Sequence, residues 1–129
     1  GFTPDSKLAI VACEIESKVY VIDVATRTVK ASVNAGMRSN GVLVHPSGKL
    51  AYISNGADGT VAVIDLASAT VSKTIPVGKR PWNMALTPDG KRLLVANGRS
   101  NSVTVIDTQT NLPVTEVSVG NLPWGVAIK

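Results

Sequence analysis

The sequence predicts an all-β fold built from three copies of one four-stranded antiparallel unit. Three observations support this prediction. The 129-residue chain repeats itself every 42 residues without insertions, each repeat contains four short runs of strand-forming residues between turn residues, and the third run is apolar on both faces. No segment has the periodicity of a convincing helix.

The repeat is defined by residues that recur in one register. The recurring residues are Pro4, Pro46 and Pro88; Lys7, Lys49 and Lys91; Asp23, Asp65 and Asp107; and Gly36, Gly78 and Gly120. A repeat of this length indicates an array of supersecondary units. The predicted repeats span about residues 1–39, 40–81 and 82–123, and residues 124–129 are expected to form an extra innermost strand.

Each element of the middle repeat can be placed from its composition. The four predicted strands are Asn40–Val44, Lys49–Ser54, Thr60–Leu66 and Thr70–Val77. Pro46 and Gly48 favour a tight turn between the first two strands. Asp65 closes the third strand, and its carboxylate is expected to accept hydrogen bonds from backbone N–H groups near Ser68, three residues later.

The third strand indicates how the repeats are arranged. Val61 and Val63 point to one face of the sheet, and Ala62 and Ile64 point to the other. An apolar residue on both faces means that neighbours cover the sheet on both sides, as they cover a β-propeller blade. We therefore expect near-complete burial of the equivalent residues in all three repeats: Val19, Val21 and Ile22; Val61, Val63 and Ile64; Val103, Val105 and Ile106.

Three segments carry a family resemblance. Residues 88–97 (PDGKRLLVAN), 102–107 (SVTVID) and 119–127 (VGNLPWGVA) resemble the YVTN-type β-propeller repeat of bacterial periplasmic and archaeal surface-layer-like proteins. The four motif letters fall on Tyr52–Asn55 and Leu94–Asn97, whereas the first repeat departs from the motif. The resemblance implies a ring of about seven blades, an extracytoplasmic location and a binding or scaffolding role.

Three blades cannot close a propeller ring by themselves. They leave two apolar faces and two strand edges open, which favours association. Two copies would form a six-bladed ring with two-fold symmetry, in which residues 124–128 of each chain complete the first blade of the other. Alternatively, the chain is a fragment of a longer propeller that supplies its own further blades.

Composition excludes several classes of site and partner. Thirteen basic against nine acidic residues give a net charge of +4 without a dense basic cluster, which indicates a mildly basic surface rather than a nucleic-acid partner. No apolar run approaches the roughly 20 residues of a membrane helix, and no signal peptide is recognisable. One cysteine and one histidine exclude an intrachain disulfide and a Cys/His zinc site. Neither a nucleotide-binding string nor a haem-attachment motif is present, so no cofactor is predicted.

Candidate ligand-binding residues lie in the loops that lead from one repeat into the next and border the channel of a propeller. Arg38 and Arg80 are equivalent there, as are Trp82 and Trp124. A cationic, aromatic rim could bind a small anion, a carboxylate or a sugar ring. The alternative is that the tryptophans pack between blades. The candidate set is Arg38, Asn40, Lys79, Arg80, Trp82, Asn83 and Trp124.

The sequence favours a non-enzymatic binding or scaffold module. His45 is replaced by Thr3 and Thr87 in the other repeats, so no catalytic residue is predicted. A propeller lactonase or a quinone- or haem-associated subunit is the enzymatic alternative, and it needs histidines or carboxylates that converge on the channel. A sugar-binding propeller is the other alternative, and the equivalent tryptophans favour it.

Overall fold

The computed structural model describes every residue from Gly1 to Lys129 and contains eleven β-strands in three antiparallel sheets. In chain order the strands are β1 (Leu8–Cys13), β2 (Lys18–Asp23), β3 (Thr28–Val33), β4 (Ser39–Val44), β5 (Leu50–Asn55), β6 (Thr60–Asp65), β7 (Thr70–Pro76), β8 (Pro81–Leu86), β9 (Arg92–Asn97), β10 (Ser102–Asp107) and β11 (Leu112–Ser118). The sheets are blade 1 (β1–β3), blade 2 (β4–β7) and blade 3 (β8–β11). The predicted all-β propeller architecture of repeated blades is confirmed. None of the secondary structure is a helix that could cross a bilayer.

Blade 1 has three strands rather than four. Phe2 makes a single antiparallel bridge to Ala9 where blades 2 and 3 have a complete first strand. Residues 124–129 form no strand in the single chain. Their role as an innermost strand of another blade stays a prediction.

The turns that follow β2, β6 and β10 are each closed by an aspartate. Asp23, Asp65 and Asp107 each accept a hydrogen bond from the backbone N–H three residues later, at 2.9, 2.8 and 3.0 Å. These backbone bonds hold the pKa of each carboxyl below its usual value, because they favour the ionised form. The expected capping of this turn is confirmed.

The backbone of the turns repeats as closely as the strands do. Four positions in every repeat have φ between 52° and 69°: Ser6, Gly48 and Gly90; Ser17, Gly59 and Asn101; Arg27, Ala69 and Asn111; Arg38, Arg80 and Leu122. Residues other than glycine rarely adopt this left-handed conformation without help from their surroundings. Because residues as different as arginine, alanine and leucine share it here, the turn shape does not depend on the identity of the side chain at these positions.

Two hydrophobic clusters join the blades face to face. The first lies between blades 1 and 2 and includes Ile10, Val19, Ile53, Ala62 and Ile64. The second lies between blades 2 and 3 and includes Tyr52, Val61, Val63, Leu93 and Ile106. Strand β6 therefore sends alternate side chains into different clusters, as the two-sided pattern of its sequence predicted.

The burial prediction holds for blade 2 and is wrong for part of blades 1 and 3. Buried as predicted are Val19, Val21, Val61, Val63, Ile64 and Ile106. Ile22, Val103 and Val105 are only partly buried. These three side chains lie on the faces of blades 1 and 3 that point away from blade 2, where no neighbouring blade covers them.

The two uncovered faces are apolar. The face of blade 1 that carries Ile22 also carries Phe2, Val11 and Val29, which are 64%, 41% and 60% exposed. The face of blade 3 that carries Val103 also carries Val117, which is 49% exposed. Soluble monomers rarely leave large contiguous apolar patches on their surface.

Candidate functional site

A buried asparagine holds the loop that leads from blade 1 into blade 2. The Asn55 side chain donates to the carbonyl of Ala35 at 2.9 Å and accepts from the Ser39 hydroxyl at 3.0 Å. Asn97 occupies the equivalent position in blade 3, where a Cβ added to Gly78 would lie 2.6 Å from the Asn97 Cγ. Glycine is required here because the asparagine amide lies directly against the loop backbone.

The first strands of blades 2 and 3 are bulged next to these loops. Between the Ser39–Asn55 and Val42–Ile53 pairs, residues 40 and 41 have no partner on β5, and residues 82 and 83 are likewise unpaired on β8. The Ser54 hydroxyl joins the two bulges, since it accepts from the Gly41 N–H at 2.8 Å and donates to the Trp82 carbonyl at 2.6 Å. Bulges of this kind redirect side chains away from the sheet.

The redirected side chains line an aromatic cavity. The rings of Trp82 and Trp124 stack with centroids 4.0 Å apart and planes 30° apart. The cavity beside them has a volume of about 320 Å³ and is lined by Asn40, Gly41, Trp82, Asn83 and Trp124. Four of the seven sequence-predicted residues therefore meet at one place, with amide groups next to aromatic rings.

A charged cluster lies beside this cavity. The Glu14 carboxylate is 2.8 Å from Nη2 of Arg80 and 3.7 Å from Nη1 of Arg38, and it accepts a hydrogen bond from the Asn40 side chain at 3.3 Å. Arg38 is about half exposed, whereas the Arg80 side chain is 24% exposed. The two equivalent arginines thus converge on a carboxylate that the sequence interpretation did not identify.

Glu14 was detectable only as an exception to the repeat. Its equivalents in the next two repeats are Gly56 and Gly98, in the connection between the second and third strands. The first repeat departs from the family motif at the preceding residue, Cys13, where the other two repeats have asparagine. A carboxylate in place of glycine, opposite two recurring arginines, was the available signal.

A larger cavity opens on the other side of Arg80. It has a volume of about 520 Å³, and its lining includes three cations, Lys79, Arg80 and Arg99, and one anion, Asp58. The Asp58 carboxylate accepts a hydrogen bond from the Met37 N–H at 2.7 Å. The lining of this recess thus carries three basic side chains and one acidic one, and Arg80, like Arg38, is also paired with Glu14.

His45 belongs to a turn rather than to either cavity. Its Nδ1 lies 2.9 Å from the Ser47 hydroxyl and accepts from the Ser47 N–H at 3.1 Å. The equivalent threonines make similar bonds to aspartate, with Thr87 donating to Asp89 at 2.6 Å. No group of three histidine, cysteine or acidic side chains lies close enough to hold a metal ion.

Comparisons with known proteins bear on the fold and the family. The model of the YNCE-like β-propeller family matches residues 46–122, which is more than half of the chain. Among solved structures, hydrazine synthase from Kuenenia stuttgartiensis matches with 26% identity and a TM-score of 0.92, over 96% of this chain and 36% of that one. A candidate 6-phosphogluconolactonase from Bacteroides fragilis matches with 27% identity and a TM-score of 0.81, over 97% of this chain and 39% of that one.

A third structure shows the same fold at lower identity. A protein of unknown function from Desulfotomaculum acetoxidans matches with 21% identity and a TM-score of 0.87, over 100% of this chain and 44% of that one. This chain thus spans 36–44% of the length of the three structures. No curated protein sequence matches it.

Proposed function

Since this chain belongs to the YNCE-like β-propeller family, we propose that it is a non-enzymatic binding module whose ligand is a small anion. The observation that carries the proposal is the positive recess beside the first strands. Lys79, Arg80 and Arg99 line a cavity of about 520 Å³ together with a single acidic side chain, Asp58. Loops at one end of a propeller commonly carry its binding residues, because the blades hold them rigidly.

The chemistry of these side chains fits an anion. A guanidinium group presents several N–H donors in a planar fork, which can bind a carboxylate or phosphate through two parallel hydrogen bonds. Several cations around a recess that is partly shielded from water also raise the local potential, which attracts anions from solution. Arg38 lies one loop away and extends the same positive rim.

The test is calorimetric titration with citrate, phosphate and glucose. We expect the wild type to bind at least one anion, and the Arg38→Ala/Arg80→Ala variant to bind it at least tenfold more weakly. Arg27→Ala is the matched control, because Arg27 has the same left-handed backbone, with φ of 57° against 56° and 55°. Its turn follows β2, at the opposite end of the blade from the rim. Equal affinity in the double variant would contradict the site, and binding of none of the three would favour a scaffold.

A sugar-binding role is the second candidate, and a separate observation favours it. The stacked Trp82 and Trp124 stand next to the amides of Asn40 and Asn83 around the smaller cavity. Aromatic rings pack on the apolar faces of sugars, and amides bond to sugar hydroxyls. Glucose binding that Trp124→Ala abolishes, without any response to anions, would support this function instead.

An enzymatic role is the alternative to both binding functions. Two similar structures carry enzyme names, a hydrazine synthase and a candidate 6-phosphogluconolactonase. Catalysis by this chain would need acidic, basic or ligating groups that converge on one cavity. The bonds of His45 to Ser47 support a turn role for the histidine and therefore favour binding without catalysis.

We also propose that a second copy of the chain covers the open faces of blades 1 and 3. Leu94 and Val103 on the open face of blade 3 are equivalent to Ile10 and Val19, with which blade 1 packs on blade 2. The open face of blade 1 carries Val11 and Ile22, which are equivalent to Ile53 and Ile64 on the receiving side of that contact. The two open faces thus continue an interface that the chain already forms twice.

Two copies joined in this way would form a six-bladed ring. Residues 124–128 repeat the register of β8, so each copy could add them to the three-stranded blade 1 of the other. Light scattering at micromolar concentration should give twice the chain mass of 13.4 kDa. Removal of residues 124–129 should reduce this to one chain mass. A stable monomer of the intact sequence would contradict the dimer and would favour coverage by further blades of a longer chain.

The location of the protein is a further part of the proposal. The YVTN-type resemblance supports a position outside the cytoplasm. Fractionation of cells that express the complete native gene should recover the protein from the periplasm or the cell surface. Recovery from the cytoplasm alone would overturn this proposal.

A further inference from the structure

We infer that Arg38, Asn40 and Arg80 form a carboxylate-binding site and that Glu14 occupies it as a tethered competitor. The inference deepens the proposed binding of an anion, on which it rests. Three donors from two different loops approach one carboxylate group, with distances of 3.7, 3.3 and 2.8 Å to its oxygens. Glu14 and Arg80 are separated by 66 residues in sequence, so the contact joins blade 1 to the loop that enters blade 3.

The donors are held in place by the backbone of the loops. The carbonyl of Arg38 accepts a hydrogen bond from the Gly56 N–H at 2.9 Å, and the carbonyl of Arg80 accepts one from the Gly98 N–H at 3.0 Å. A Cβ added to Gly56 would lie 3.3 Å from Nη1 of Arg80, so the guanidinium lies close over the glycine backbone. The Arg80 side chain, which is only 24% exposed, therefore loses little freedom when it binds a ligand, which favours recognition.

Glu14 differs from the other members because only the first repeat supplies it. Its equivalents, Gly56 and Gly98, have no side chain, whereas Arg38 and Arg80 recur at the same step as the fold itself. Arginine thus occupies two of the three equivalent rim positions, with Leu122 at the third, and the glutamate is found in one repeat alone. Its carboxylate shows which ligand group the arginines accept.

A tethered group competes with free ligand. A segment that is attached near a site acts at an effective concentration in the millimolar range. A carboxylate ligand that uses Arg38 and Arg80 must displace Glu14, and its apparent affinity is lowered accordingly. Removal of the Glu14 charge should therefore strengthen binding, which is the opposite of the effect expected for a residue that contacts the ligand favourably.

The experiment compares Glu14→Gln with the wild type in calorimetric titrations with citrate and phosphate. We expect about tenfold tighter citrate binding by Glu14→Gln, and loss of this gain when Arg80→Ala is added. Glu16→Gln is the matched control, since Glu16 lies in the same connection but accepts a hydrogen bond from the Tyr20 hydroxyl at 2.7 Å. Its citrate affinity should equal that of the wild type.

The outcomes separate this inference from the proposal beneath it. Equal citrate affinity in the wild type and Glu14→Gln would overturn the competitor role and leave the anion site standing. No binding of either anion by either protein would overturn both. A gain for phosphate without a gain for citrate would overturn the assignment to carboxylates. Glu14→Asp keeps the charge on a shorter side chain, so a citrate affinity between those of the other two proteins would support competition, and an affinity above that of Glu14→Gln would contradict it.

Discussion

Strands β6 and β10 are equivalent and nearly identical in sequence, yet they differ in burial. The four residues from Val61 to Ile64 in β6 are all buried, whereas β10 alternates between buried and partly buried positions. Blade 2 has a neighbour on each face, and blade 3 has only one. The comparison shows that the sequence of a blade is adapted to neighbours on both sides, whether or not those neighbours are present.

Truncation of an isoleucine should destabilise the fold more where a neighbouring blade covers the side chain than where none does. Ile64→Ala should lower the free energy of unfolding by about 2–5 kcal/mol, because it leaves a cavity between blades 1 and 2. Ile22→Ala should cost about 1 kcal/mol in the dilute monomer, since its surroundings are partly water. Urea unfolding followed by circular dichroism measures both values. Equal losses of unfolding free energy in the two variants at low protein concentration would contradict the difference in burial between blade 2 and the outer blades.

The same two variants also test whether a second copy of the chain covers blade 1. If a second copy covers blade 1, the Ile22 side chain becomes buried on association. The loss for Ile22→Ala should then rise with protein concentration towards the value for Ile64→Ala. A loss that does not depend on concentration would contradict coverage by a second copy.

Alanine substitutions at two equivalent glycines should differ in how much they lower the unfolding free energy. A Cβ at Gly78 would lie 2.6 Å from the buried Asn97 side chain, whereas a Cβ at Gly120 would meet nothing within 4 Å. Gly78→Ala should therefore cost about 1–3 kcal/mol through overpacking. Gly120→Ala is the matched control and should change the unfolding free energy by less than about 0.5 kcal/mol. A larger loss at Gly120 would mean that residues beyond blade 3 contact this loop.

The smallest change in stability is expected at acidic pH. Thr87 and Asp89 in blade 3, like Thr3 and Asp5 in blade 1, form a side-chain hydrogen bond that lowers the pKa of the aspartate. Blade 2 has Ser47 at this position. Because the folded-state pKa lies below the unfolded value of about 3.9, these bonds contribute stability above that pH and lose it as the pH falls through the folded-state value.

Thermal unfolding between pH 7 and pH 3 should show this difference. The melting temperature of the wild type should hold above about pH 5 and fall below about pH 4. Asp89→Ser, which copies blade 2, should reduce the acid-induced fall slightly. An identical fall in Asp89→Ser would show that the exposed turns do not contribute.

The sequence was sufficient for features whose causes are local. Strand β6 ends at Asp65, one residue before the predicted end, and the Asp65 carboxylate makes the expected turn bond to the Ser68 N–H. The strand pattern, the turn residues and the repeat all act over a few residues or a fixed step. Fold class followed because these local signals agree with one another.

The remaining features depend on contacts between distant repeats. Glu14 meets Arg80 across 66 residues, and the sequence signal for that contact was only a carboxylate at a position where the other repeats have glycine. The candidate residues Asn40, Trp82, Asn83 and Trp124 do share a cavity, but the bulges that bring them together are visible only in the strand register. The predicted burial of Ile22 and Val103 was wrong because the sequence pattern of a blade reflects neighbours on both faces. One face of blade 1 and one face of blade 3 have no such neighbour.

The recurring left-handed positions at 38, 80 and 122 have a wider consequence for specificity. Their φ values are 56°, 55° and 52°, although the side chains are arginine, arginine and leucine. The same backbone conformation can therefore present either a cationic or an apolar side chain at this point of the repeat. Evolution or design could exchange these side chains and alter what the rim selects, while the backbone beneath them keeps its shape.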